Sequence, residues 1–171
     1  MPKNVYNSVV DHRLLDGQTV VEDVMTVTLP EIKNTVTEMD VAGMVAAIDV
    51  PDIGRFEKMT FEVNHNKGLN SDALVRPGMH DIELRIARQK LTTSTGTLDY
   101  EGVKVRVRGI LIGVKKNDME RGNPLAETVT YGVYRYEEEI DGKQQILIDI
   151  LGSKVVVDGK DYTSSWKHLL E

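Results

Sequence analysis

The side chains able to do chemistry are few and scattered. Four histidines stand at His12, His65, His80 and His168. No two have metal-ligand spacing on one helix or strand, and the chain has no cysteine to join them. His65 and His80 flank a stretch of helical character and are able to meet in space. A zinc centre needs at least three protein ligands, however, and the spacing offers no third. They read as loop or strand-end residues. Glu137-Glu138-Glu139 is the densest acidic run. Consecutive strand residues point to alternate faces, so the three carboxylates cannot converge on one ion. They read as a solvated hairpin end. Ser164-Ser165 suits a helix cap better than a nucleophile. No GxSxG, P-loop or GxGxxG occurs. The chain is not read as an enzyme, and no catalytic residue, metal or cofactor is expected.

Lys104, Arg106 and Arg108 form the one basic feature, a ladder on alternate positions of a strand. It offers either a docking line for a phosphate backbone or an acidic partner, or the polar side of an amphipathic strand. In the second case its charges would pair with Asp81/Glu83 or with Glu137–Glu139. In an assembly the same ladder could supply ion pairs between subunits. The net charge of −6 argues against a nucleic-acid binder that grips phosphates.

The elements that would position these groups are strands. Met59, Phe61 and Val63 alternate with polar residues over Lys58 to Asn64, which marks a half-buried strand. Ile82, Leu84 and Ile86 do the same over His80 to Leu91. Val103, Val105 and Val107 back the basic ladder over Gly102 to Val114. Beyond Gly109 the alternation drifts through Ile110-Leu111-Ile112, which predicts a bulge at Gly109. Glu127 to Glu139 and Lys143 to Leu151, joined through Asp141-Gly142, spell a type I′ hairpin, with Ile146, Ile148 and Ile150 on one face. Lys154 to Val157 and Lys160 to Tyr162 suggest a further short pair. Val20 to Leu29 reads as one strand stopped by Pro30. Residues 1–19 allow a short strand or an arm on a neighbour. Asn70-Ser71 would cap a helical turn through SDALV, ended by Pro77-Gly78, and Ser164 or Ser165 a last turn through WKHLL. This gives eight to ten strands in one domain, 1–171. The class is mainly β: two packed antiparallel sheets, sandwich or barrel, with one short helix.

Thr26 to Pro51 is the exception to this order. It reads as two extended arms around Val41-Ala42-Gly43-Met44, bounded by Pro30 and Pro51, with Asp52–Gly54 closing it. Its apolar residues fall on both faces: Val36 and Met44 on one, Met39, Val41 and Val45 on the other. An edge hairpin apolar on both sides is an aggregation hazard in a monomer. It makes sense if another chain covers it, so Val36, Met39, Val41, Gly43, Met44, Val45 and Ile48 are the candidate subunit interface. There is no signal-peptide-like run at the start, and no apolar stretch of membrane-spanning length. No stable membrane association is therefore expected, and the lack of cysteine fits an intracellular folding environment.

Several weak motifs occur in a telling order: Val27-Thr-Leu-Pro-Glu-Ile32, Ala42-Gly-Met44, Ile48-Asp-Val-Pro-Asp52, Lys104-Val-Arg-Val-Arg-Gly-Ile-Leu111, and Glu127 to Ile150 with its Asp141-Gly142 turn, followed by the segment to Tyr162. Together they resemble the major tail tube proteins of contractile tails, the tube family of myophages and R-type bacteriocins. The resemblance covers most of residues 20–162; residues 1–19 and 115–127 lie outside it. It implies a structural subunit of a phage virion tail or tail-like particle, assembled in the bacterial cytoplasm. It implies homohexameric rings that stack into a hollow tube inside a sheath, driven through a cell envelope on contraction. Each subunit would be two packed β-sheets with a short helix and an extended hairpin. The implied partners are further copies of itself, the tail sheath protein, a baseplate initiator, the tape-measure protein and the tail terminator. DNA would pass only in transit, through a lumen that a net negative charge would keep from retaining it. A type VI secretion-like tube shares the architecture. A carbohydrate-binding β-sandwich is the alternative of another class, but it would want exposed aromatic platforms, and this chain has only one Trp, two Phe and six Tyr, several of them in expected strands.

Overall fold

A computed structural model of the chain describes residues 3–68 and 71–171. Among the described residues there are twelve strands: β1 (Asn4–Asp16), β2 (Thr19–Val21), β3 (Val24–Thr28), β4 (Asn34–Met39), β5 (Ile48–Phe56), β6 (Thr60–Asn66), β7 (Met79–Thr92), β8 (Thr97–Lys116), β9 (Ala126–Ile140), β10 (Lys143–Asp149), β11 (Lys154–Val157) and β12 (Lys160–Asp161). A 3-10 helix spans Ser71–Val75, and one short α-helix, α1, spans Ser164–Lys167.

Ten strands form one antiparallel sheet, ordered β12-β11-β10-β9-β8-β7-β1-β2, with β6 added to β9 and β3 to β6. The branch is at β9. One edge of β9 carries β8; the other carries β6 along Ala126–Gly132 and β10 along Arg135–Ile140. The expected packed sheets are therefore present, but as two limbs of a forked sheet sharing β8 and β9. Phe61 and Val63 of one limb, and Leu14, Ile82, Leu84, Ile148 and Val155 of the other, enter one core with Val105, Val107, Val129 and Tyr131. Leu74, from the 3-10 helix, is fully buried in the same cluster. Tyr131 fixes it there by donating its hydroxyl to the Leu74 carbonyl at 2.6 Å. Burial pushes the Tyr131 phenol far above its ordinary range, and the Asp16 carboxylate pushes the same way.

The fork is made by a pair of bulges. Arg108 faces Arg135 but Gly109 faces Val133, so Tyr134 is the extra residue on β9. Leu111 faces Tyr131 but Gly113 faces Thr130, so Ile112 is the extra residue on β8. One bulge on each strand bends both where the limbs part. The drift in alternation after Gly109 has this cause. A Cβ at Gly109 would lie 2.7 Å from the Gly132 carbonyl oxygen, so the two backbones meet only because residue 109 has no side chain.

Several local expectations need correction. Val20 to Leu29 is two strands, broken at Asp23, whose φ is +58°. Residues 1–19 contain a 13-residue strand, β1, paired to β7. β5 does not close at Asp52–Gly54 but runs on to Phe56. The SDALV turn is 3-10; its expected cap Asn70 lies outside the described residues. The C-terminal turn is capped by neither serine. Asp161 accepts the backbone N–H groups of Thr163 and Ser164 and the Thr163 hydroxyl. Ile150 lies beyond the end of β10 and is exposed, so the isoleucine face shortens to Ile146 and Ile148. The Asp141-Gly142 turn is as expected, both residues having positive φ (+46° and +80°).

Candidate assembly site

Among the described residues, β4 and β5 pair with each other and with no other strand. The hairpin is held at its base. Glu57 N–H donates to the Lys33 carbonyl at 2.8 Å. Gly54, with φ +84°, leaves room for Thr163 and the Trp166 indole, which would lie 3.6 and 3.7 Å from a Cβ there. At the tip, Met44 N–H donates to the Val41 carbonyl at 3.0 Å, and Gly43, with φ +99°, supplies the positive-φ corner of that turn. Pro51 sits in β5 opposite Val36, a tolerable place for a residue without N–H only because β5 is an edge strand.

All seven candidate interface residues thus lie on one two-stranded arm. Val36, Met39, Val41, Met44 and Ile48 keep between 39% and 53% of their surface exposed, and Val45 is fully exposed. Met39 stands opposite Ile48, and Val36 opposite Pro51, which puts the two pairs on opposite faces of the ribbon. Glu38 and Asp49 also stand directly opposite each other, both exposed. Between residues 34 and 54 the chain has Glu38, Asp40, Asp49 and Asp52 and no Lys or Arg. Like charges facing across a ribbon destabilise it. The arm is thus apolar on both faces, acidic, and internally repelled.

The Lys104/Arg106/Arg108 ladder lies elsewhere, on the outer face of β7, β8 and β9. Its charges are met within the chain. Arg108 binds Asp81 at 2.7 Å; Arg106 reaches Glu83 at 3.4 Å, Glu137 at 3.3 Å and Glu139 at 3.5 Å; Lys104 approaches Glu139 at 4.0 Å. Burial works against ionisation of Glu83, but Arg85 and Arg106 outweigh it and hold the carboxyl below its usual range. Glu138, on the opposite face of β9, instead accepts the Tyr136 hydroxyl at 3.0 Å. The acidic triplet is thus split between faces, as its consecutive positions require.

His65 and His80 lie at strand ends, as expected, but both are buried. His80 is buried between Asp16, at 2.8 Å from Nδ1, and the Arg76 carbonyl, at 2.6 Å from Nε2. His65 donates Nδ1–H to the Asn66 carbonyl at 2.9 Å, while its Nε2 lies 3.3 Å from Glu127. Lys116 closes on the other oxygen of Glu127. The two rings thus serve different carboxylates. The signal was in the alternation: His65 shares parity with Phe61 and Val63, and His80 with Ile82 and Leu84. Among the described residues no group of three His, Cys, Asp or Glu is placed to hold a metal ion, and no helix is long and apolar enough to cross a membrane.

Residues 12–170 match the family model described as phage tail tube protein FII. The match takes in residues 115–127 and the last part of β1, His12 to Asp16, which the sequence motifs alone did not reach. No curated protein matches the chain. Among solved structures, it is similar to a chain in the sheath/tube terminator, in the extended state, of the PVC extracellular contractile injection system. That likeness has a TM-score of 0.55 at 12% identity and covers 78% of this chain and 96% of that one. It is also similar to a chain in the sheath-tube complex of the same kind of system, with a TM-score of 0.52 at 9% identity, covering 75% and 87% respectively. At these identities the likeness is one of fold.

Proposed function

Because the chain belongs to the phage tail tube protein FII family, a structural and non-enzymatic one, we propose that it builds the inner tube of a contractile tail or tail-like injection device. Six copies close into a ring, and rings stack into a hollow tube. The tube is carried through the target envelope when a surrounding sheath contracts. The whole chain, 1–171, acts as one tube unit. Its partners are further copies of itself, the sheath, a baseplate initiator, a tape-measure protein and a terminator. The solved relatives named above come from a sheath-tube complex and a sheath/tube terminator.

The observation that carries this reading is the β4–β5 arm. In an isolated chain it buries neither face and sets Glu38 against Asp49. Contact with neighbouring copies would cover Val36, Met39, Val41, Met44, Val45 and Ile48. Gly43 sets the bend that presents them. The Lys104/Arg106/Arg108 ladder has a smaller role in assembly, since its first partners lie within the subunit.

Negative-stain electron microscopy of concentrated protein tests the reading. Rings or tubes of uniform diameter are expected. Val41→Asp with Met44→Asp should abolish them while the far-ultraviolet circular dichroism of the monomer is unchanged. Tubes that persist in the double variant would remove the arm from the interface.

A further inference from the structure

β9 stops at Ile140, opposite Val103, while β1, β7 and β8 run on past it. Residues 4–11, 87–92 and 97–102 thus make a three-stranded extension, and residues 4–11 are exposed throughout. The face it shares with Arg106 has a definite order. Tyr100, which is exposed, is followed by the small pair Ala87-Gly102 and then by a cationic row. In that row Arg13 stands opposite Arg85, and Arg85 opposite Lys104. A groove of about 460 Å³ lies over Ala87 and Gly102, bounded by the three cations.

Resting on the tube reading above, we propose that this face receives the β4–β5 arm of the next copy. Glu38 and Asp49 lie against the Arg13-Arg85-Lys104 row, and the tip residues Val41 and Met44 lie against Tyr100 and the floor of the groove.

Charge selects this occupant. Between residues 34 and 54 the arm has four carboxylates and no Lys or Arg. Residues 3–13 and 85–104 have six Lys or Arg against three Asp or Glu, in a chain whose net charge is −6. Each surface is also repelled within itself, because Glu38 faces Asp49 on the arm and three cations stand side by side on the extension. Like charges directly opposite each other destabilise a sheet. Bringing the two surfaces together offsets both repulsions. The subunit alone does this only in part. Arg85 gives its Nε to Glu83 at 2.5 Å, Lys104 approaches Glu139 at 4.0 Å, and Arg13 forms no ion pair among the described residues. The carboxylates at the groove are occupied: Asp11 accepts the His12 N–H, Asp141 the Gly102 N–H, and Glu139 is shared with Arg106.

Spacing agrees. Glu38 to Val41 is three residues, about 10 Å of extended chain, and Tyr100 to Lys104 is four, about 13 Å. Arm and groove are different surfaces of one chain, so the contact is heterologous, the kind that closes rings or continues as a stack.

The chain has no cysteine, so introduced ones map the contact without background. Glu38→Cys and Arg85→Cys, made in separate chains, are mixed and oxidised, both as concentrated soluble protein and as sedimented material. A disulfide needs Cα atoms within about 7 Å. A mixed disulfide-linked dimer is expected, and none from Glu38→Cys with Val9→Cys, which lies on the opposite face of the extension. Arg13→Glu with Arg85→Glu, and separately Glu38→Lys with Asp49→Lys, should each raise the threshold concentration for polymerisation about tenfold or more. All four changes together should recover most of that loss. The proposal is overturned by absence of the mixed dimer from both samples, by a link to Val9→Cys instead, or by a fourfold variant no better than the product of the two losses. An Arg85→Cys homodimer in place of the mixed one would make the occupant a second extension. Should a charge variant not fold, the disulfides decide alone. If Val41→Asp with Met44→Asp abolishes tubes but the mixed dimer is absent, the arm remains an interface and only this receptor is lost. A mixed dimer in protein that never forms tubes would instead keep the contact and sink the tube reading.

Discussion

Gly109 is the residue on which the branching of the sheet most directly depends. A Cβ there would meet the Gly132 carbonyl oxygen at 2.7 Å and its carbon at 3.4 Å, both backbone atoms of β9 that cannot swing aside. Gly109→Ala is therefore expected to destabilise the chain by about 1–3 kcal/mol, the usual range for overpacking a tight site. At Gly102, where nothing lies within 4 Å of the added carbon, the same change should be nearly neutral. Chemical denaturation of the two variants side by side checks this, and equal losses would mean that the close approach is not limiting. Asp161 offers a residue-scale pH test. Hydrogen bonds from the Thr163 hydroxyl and N–H, then from Ser164 N–H, hold its carboxyl below the usual value and outweigh desolvation. Its folded value lies below its unfolded one, so its contribution is present above the ordinary carboxylate range and is lost as pH falls through the folded value. The α1 turn should fray first on acidification below about pH 4. Trp166, the only tryptophan, reports it by fluorescence. Asp161→Asn should show that change already at neutral pH.

At the scale of elements, the β4–β5 arm is built against its own stability. Glu38 faces Asp49 across the ribbon, and no Lys or Arg lies between residues 34 and 54 to offset them. In the free subunit, Glu38→Gln with Asp49→Asn should relieve a repulsion of about 0.2–1 kcal/mol, within the range of cross-strand pairs. In assembly the same double variant should act in the opposite sense, because the acidic face then has a neighbouring subunit to engage. Sedimentation of tubes across a salt series measures this: polymerisation of the wild type should weaken as salt rises, while that of the variant is weaker at low salt and flatter. Equal yields and equal salt dependence would leave the arm with only an apolar role. The basic ladder shows the contrasting design. Arg106 spans Glu83 on β7 and Glu137 and Glu139 on β9, so opposite charges tie neighbouring strands within one chain.

Across the whole molecule, what could be read in advance followed the reach of the forces involved. Alternation is local, so Met59-Phe61-Val63, Ile82-Leu84 and Val103-Val105-Val107 announced their strands and buried faces. The Asp141-Gly142 turn is local too. The fork is not: it depends on two bulges in different strands, Ile112 and Tyr134, whose offsets appear only when β8 and β9 are in register. Only the drift after Gly109 hinted at it. The arm was legible because an apolar ribbon in an otherwise alternating chain is conspicuous. The buried histidines were missed because their partners are remote, Asp16 being 64 residues from His80. These differences imply a gradient of local stability that hydrogen exchange can read. In the monomer, amides of β4 and β5 rest on a two-stranded ribbon alone, which is marginal in water. They should exchange orders of magnitude faster than those of β6 and the β9 segment Ala126–Gly132, where each strand has neighbours on both edges and Phe61, Val63, Val129 and Tyr131 are fully buried. On polymerisation the arm should gain the largest protection of any segment, while the β6–β9 region, already near the global limit, changes little. An arm already protected in the monomer would show that its exposed side chains do not weaken it. An arm unprotected in the polymer would place the subunit contacts elsewhere.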